Sequence, residues 1–260
     1  MSSESQTMVR RRYILNEMES RDSIMVSELV KRFSVSEVTI RKDLEQLEKK
    51  NLLIKVRGGA IRIPKKGNFQ DLDVDIKRLE NYTAKQKIGK AAMKLINEKE
   101  TIILDSGTTT YEIAKNLNNF QNLTILTNAI DIAALLNSYK KLKVIVPGGV
   151  IRTESYSIGG QFAEAFLTNF YCDKLFLGVD SFDIEKGLST PNLEEASINK
   201  VMISIAKEVI AVADSSKFNK PGFALIAPTS AVHTVVTDSN LPEEIRLELI
   251  QKGIKVIIAK

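Results

Sequence analysis

From about residue 100 onward, short apolar runs recur with helix-like stretches between them. That alternation constrains the fold more than any other feature of the chain. Runs at 101–105, 123–127, 142–146, 174–179, 208–213, 232–237 and 254–258 have the length and make-up of buried strands. Stretches at 84–97, 110–117, 129–138, 193–206 and 242–251 carry helical spacing. Strand alternating with helix predicts a mostly parallel sheet with helices on its faces, an α/β domain.

The first 63 residues follow a different pattern. Ile14, Leu15 and Met18 mark a helix over 8–20, and Leu29, Val30 and Phe33 mark a short one over 26–33. Ser34 with Glu37 three residues on matches a capping box and opens a third helix to about Lys50, with Ile40, Leu44 and Leu47 on one stripe. Two short apolar segments, 52–56 and 60–63, flank Gly58-Gly59 and predict a hairpin. This order is that of a winged helix-turn-helix at 1–63, with its helix-turn-helix at about 26–45. Pro64-Lys65-Lys66-Gly67-Asn68 reads as a linker. The expected organisation is therefore 1–63, a linker at 64–74, and an α/β domain at 75–260.

Charge follows the same division. Residues 1–70 hold 15 basic and 9 acidic side chains, and the remainder holds 22 and 23. A basic front on a near-neutral body points to a polyanion partner for the front, although basic surfaces are also ordinary solvated faces. In a winged helix the third helix enters the DNA major groove by its N-terminal residues. Its apolar stripe leaves Ser36, Glu37, Thr39, Arg41 and Lys42 more outward. Arg41 suits guanine, Lys42 phosphate, and the two hydroxyl residues either. Arg57, Arg62, Lys65 and Lys66, on and after the hairpin, suit the adjacent backbone or minor groove. The bland alternative is a charged three-helix bundle that caps a protein partner.

Residue counts exclude several chemistries. One cysteine, Cys172, excludes a disulfide framework, and one histidine, His233, excludes a histidine-based metal site. We expect no metal and no cofactor. Cys172 reads as a buried small hydrophobe and His233 as a packed or edge residue. No apolar run reaches about 18 residues, so no membrane span is expected. The N-terminal stretch lacks a signal peptide's apolar core, which makes the cytoplasm the expected compartment.

In the body, Asp105-Ser106-Gly107-Thr108-Thr109-Thr110 lies between a predicted strand and a predicted helix. A Gly- and hydroxyl-rich turn at a helix N-terminus suits phosphate, and equally suits simple capping. Asn128, Gly148-Gly149, Asp180 and Lys217 all follow predicted strands and belong at the same end of the sheet, where open α/β sheets take ligands. Arg152 is a candidate for anion contact or for subunit packing.

The segment VSELVKRFSVSEVTIRKDLEQLEKKNLLIKVRGGAI at 26–61 closely resembles the DeoR family of bacterial transcriptional regulators. DSGTTT at 105–110, TN at 127–128, LGVDSFD at 177–183, GLSTPNLEEA at 187–196 and VADSSKF at 212–218 resemble that family's sensor domain. The flank STPNLEEASINKVMI is most similar to regulators of amino-sugar catabolism, of the N-acetylgalactosamine type. The resemblance implies a repressor of a sugar or amino-sugar operon, a double-stranded DNA operator, a phosphorylated sugar effector, and a homo-oligomer, dimer or tetramer. It also implies a sensor with the fold of ribose-5-phosphate isomerase. Asp180, Asp183, Lys186-Gly187 and Glu194-Glu195 follow the isomerases' order of acidic and lysine residues, with a shorter spacing before Lys186. We read these as retained sugar recognition, in which Asp180, Glu194 and Glu195 accept sugar hydroxyls and Lys217 neutralises phosphate. An isomerase with a basic appendage and an architectural nucleic-acid binder without a ligand are the alternatives.

Overall fold

The structure, a computed structural model, describes residues 3–21, 23–50, 52–56, 58–61, 74–220 and 222–260. Arg57, Arg62, Lys65, Lys66 and most of the expected linker lie outside the described residues. The chain divides into two compact units, one drawn from 1–67 with 75–81 and the other from 68–74 with 82–260.

The front unit has helices Ser3–Ser20, Val26–Phe33 and Glu37–Lys49, followed by strands Ile54–Val56 and Gly59–Ile61. The spacing does not reveal a third strand, Ser23–Met25, which pairs with Gly59–Ile61. It explains the glycine at 59, where an added Cβ would sit 2.2 Å from the Ile24 carbonyl oxygen. Ser34 does not cap the third helix as the sequence suggests. It ends the second helix in a left-handed conformation, φ 52°, and its N–H donates to the Val30 carbonyl. Ser36 is the true N-cap and accepts from the Thr39 N–H at 3.2 Å. Ile14, Leu29, Ile40, Leu44, Leu47 and Leu53 form the centre of the core.

The second unit contains all seven expected strands in one parallel sheet. Across the sheet the order is Lys255–Ala259, Thr234–Asp238, Ala206–Val212, Cys172–Gly178, Thr101–Leu104, Leu123–Thr127 and Leu142–Ile145. Alternate side chains enter two cores. Ile102, Leu104, Phe176 and Ile210 pack with the helices Tyr82–Met93, Thr108–Ala114 and Ile130–Asn137. Ile103, Leu175, Leu177 and Val209 pack with Gln161–Leu167, Leu193–Ser204 and Glu243–Gln251. A small antiparallel sheet of Ser181–Asp183, Gly187–Thr190 and Ala224–Ala227 and a hairpin of Val150–Arg152 with Ser157–Gly159 complete the unit.

The strand order reverses direction once. From Thr101–Leu104 the chain builds outward to Leu142–Ile145, then returns to place Cys172–Gly178 on the other side. The carboxyl ends of those two neighbouring strands mark the sheet's topological switch point. Asp105 and Asp180 follow these strands.

Candidate functional site

The third helix presents the face expected of a DNA reader. Ser36, Glu37, Arg41 and Lys42 are exposed and Thr39 is half-buried, while Ile40, Leu44 and Leu47 are buried. Two candidates are already engaged: the Ser36 and Thr39 hydroxyls lie 2.9 Å apart within the N-cap. Arg41 Nη2 donates to Glu37 Oε2 at 3.1 Å, an exposed pair that DNA can displace at small cost. The sequence reading missed Val38, which is 62% exposed among these residues and offers an apolar contact to a thymine methyl. The signal was present, because Val38 is an apolar residue off the core stripe. Also missed was Asp43, buried on the same helix. It accepts from Arg10 Nε and Arg11 Nε, each at 2.8 Å.

At the switch point Asp105 ties the two central strands together. Its Oδ1 accepts from the Gly107 N–H at 3.0 Å and its Oδ2 from the Gly178 N–H at 2.9 Å. The Gly107 amide is therefore already used by the chain itself. Gly107 starts the helix Thr108–Ala114 without a side-chain cap. Thr110 is fully buried and donates to the Gly107 carbonyl at 2.6 Å, while Ser106 and Thr108 are half-buried and Thr109 is buried. Burial pushes the Asp105 carboxyl up to about 7, and the nearby Glu195 charge adds to the rise. Hydrogen bonds from the Gly107 and Gly178 N–H groups offset part of it.

Around this centre the other strand ends contribute unequally. Asn128 is buried, and its Nδ2 donates to the Ile158 carbonyl at 3.2 Å. Its Oδ1 is buried with no hydrogen-bond partner among the described residues. Arg152 Nη1 lies 3.5 Å from Glu195 Oε2, and Lys217 Nζ lies 4.0 Å from Asp180 Oδ1, all four partly buried. Glu194 and Glu195 both donate backbone N–H groups to Asn192 Oδ1, yet only Glu195 turns inward, and Glu194 is exposed. Gly149 serves packing, since a Cβ there would sit 2.5 Å from the Gly159 carbonyl.

Comparison with known proteins assigns this architecture. Residues 10–66 match the DeoR-like helix-turn-helix domain, and residues 80–239 match the DeoR C terminal sensor domain. The chain belongs to the DeoR family. Among its relatives is a putative aga operon transcriptional repressor of Escherichia coli O157:H7, 35% identical over 97% of this chain and 94% of that one. Another is an uncharacterized HTH-type transcriptional regulator, YulB, of Bacillus subtilis, 36% identical over 95% of each chain. Ribose 5-phosphate isomerase A of Methanocaldococcus jannaschii overlaps 54% of this chain and 55% of that chain at 19% identity and a TM-score of 0.41, too distant to bear on chemistry.

As a DeoR-family member the chain is a DNA-binding transcription regulator rather than an enzyme. Asp183 Oδ1 accepts from the Glu185 and Lys186 N–H groups, which makes it a turn cap. Lys186 is exposed beside it. No helix among the described residues is long and apolar enough to cross a membrane, and no group of potential metal ligands is found among them.

Proposed function

We propose that this regulator is a cytoplasmic repressor of a sugar or amino-sugar catabolism operon, released from its operator by a phosphorylated sugar bound at the switch point. The domains would be 1–63 for DNA, 64–74 as linker and 75–260 for ligand and assembly. The observation that supports the reading is that Asp105, Asn128 and Asp180 all follow parallel strands at one end of the sheet, with the Glu195 charge near enough to raise the Asp105 carboxyl and Arg152 paired to Glu195. Arg152 and Lys217 are the cations placed to receive the phosphate, each beside a carboxylate that a charge-assisted bond to phosphate would replace. The turn at Thr108–Thr110 adds backbone N–H groups to the same anion site, with Ser106 beside it. Asp180 and Glu195 accept sugar hydroxyls, as does the unpartnered Asn128 Oδ1. The amino-sugar assignment draws on the aga operon repressor among the relatives.

DNA contacts are assigned to Ser36, Glu37, Thr39, Arg41 and Lys42, with Arg57 following the backbone. One short helix reads only a few base pairs, so the regulator is assigned as a homo-oligomer on paired half-sites. Val150, Ile151, Phe162 and Leu193, exposed on the hairpin and the two helices after it, supply apolar surface of the kind that marks protein contacts. The test is a thermal-shift screen of sugar phosphates, in which a ligand at a hundredfold excess over its Kd adds about 2.7 kcal/mol of stability. The stabilising compound must then release a DNA fragment bound by the full chain. A sugar phosphate that binds without altering DNA affinity defeats the repressor reading.

A further inference from the structure

The recognition helix Glu37–Lys49 carries a buried charge that its core does not require. Asp43 is 2% exposed, and its two carboxylate oxygens are taken by successive arginines of helix Ser3–Ser20, Arg10 and Arg11. Arg10 is itself 8% exposed and also donates from Nη2 to Thr7 Oγ1 at 3.1 Å. Arg11 is half-buried. Around Asp43 the contacts of Ile40, Leu44 and Leu47 are apolar, and apolar burial is non-directional. Such packing tolerates small rotations of the helix about its axis. A carboxylate gripped by two Nε–H donors does not, because charge-assisted bonds fix geometry as well as energy. Each residue of rotation swings a side chain by about 100°, so small errors move Arg41 and Lys42 off their targets. A buried ion set of this kind is seldom more stabilising than apolar residues of the same volume, which leaves orientation as the gain.

We propose that Asp43, gripped by Arg10 and Arg11, is a positioning residue for DNA recognition: it sets the rotation of the recognition helix and touches no DNA itself. The probes are a duplex selected from random DNA on the full chain and a scrambled duplex of equal composition. In Arg10→Met/Asp43→Leu the freed Arg11 turns to water, and the melting temperature stays within a few degrees of the parent's, since apolar replacement is often neutral or stabilising. Affinity for the selected duplex falls about tenfold or more, while the scrambled duplex stays within about threefold, because phosphate attraction needs no fixed helix rotation. Should that variant fail to fold, Asp43→Asn decides, measured well below its melting point; it keeps the shape, loses the charge, and is expected to lose the same ratio. A folded variant of either kind that keeps the parent's selected-to-scrambled ratio overturns the proposal. So does an equal fall on both probes, which marks Asp43 as structural alone.

Discussion

Asp43 and Glu195 each meet arginine, and the two contacts are built differently. Asp43 is buried and doubly gripped at 2.8 Å. Glu195 is partly exposed, 3.5 Å from Arg152, and close enough to Asp105 for their charges to repel. The first arrangement holds one geometry. The second is longer and sets one carboxyl beside another, so that an incoming donor relieves their repulsion. A regulator needs both kinds: a rigid reader of DNA, and a sensor whose polar groups are not fully committed to each other.

The largest expected effect breaks the rigid contact directly. Arg10→Ala strips the main partner from a buried carboxylate, and removing one member of a buried pair costs about 3–5 kcal/mol. Arg152→Ala, by contrast, should cost less, because its ion pair with Glu195 is longer, 3.5 Å against 2.8 Å. Urea unfolding of the two variants checks this, and equal losses would erase the distinction. Next is the reading face: Arg41→Ala should cost about 1–3 kcal/mol on the selected duplex and relax preference at one base pair, whereas Lys42→Ala should weaken all sequences alike and reduce the salt slope by about 1. Equilibrium binding across a salt series separates them.

On the sensor side, Lys217→Ala and Arg152→Ala should each weaken an effective sugar phosphate by about tenfold, since hydrogen bonds to charged groups contribute roughly 1.5–3 kcal/mol. Calorimetry measures that loss, and DNA affinity without sugar should stay at the parent value. The smallest effect is one of pH. Asp105 has an ordinary value of 3.8, raised to about 7 by burial with help from Glu195. Between those values the folded state keeps a proton that the unfolded chain releases. Its contribution to stability is full below about pH 4 and is lost as pH rises through about 7. Asp105→Asn should therefore give a flatter melting temperature over that range, and a pH dependence as steep as the parent's would remove Asp105 as its source.

The parallel sheet was legible because each of its seven strands carries an apolar run, most of them rich in Val, Ile and Leu, as burial on both faces demands. The hairpin at 150–159 and the small antiparallel sheet were not, because short strands such as Ser157–Gly159 and Gly187–Thr190 each hold a single large apolar residue and so show no apolar run. Ser34 and Ser36 are both good cap residues, and only the left-handed backbone at Ser34 distinguishes their roles. Adjacent glutamates pose a similar problem. Glu194 and Glu195 differ by about 100° around the helix, and nothing in the sequence says which turns inward until Asn192 fixes the first turn. Asp43 was hidden for a different reason: a carboxylate within a run of charges reads as surface, and only the arginines about thirty residues earlier bury it.

The seven-stranded sheet ends on Leu142–Ile145 at one margin and Lys255–Ala259 at the other. Open margins of this kind are templates on which a second chain can add a strand. Exposed lysines guard both: Lys140, Lys141 and Lys143 at one side, and Lys255 and Lys260 at the other. Their like charges oppose edge-to-edge addition, so replacing them with threonine should raise the rate of aggregation on storage while the melting temperature barely moves.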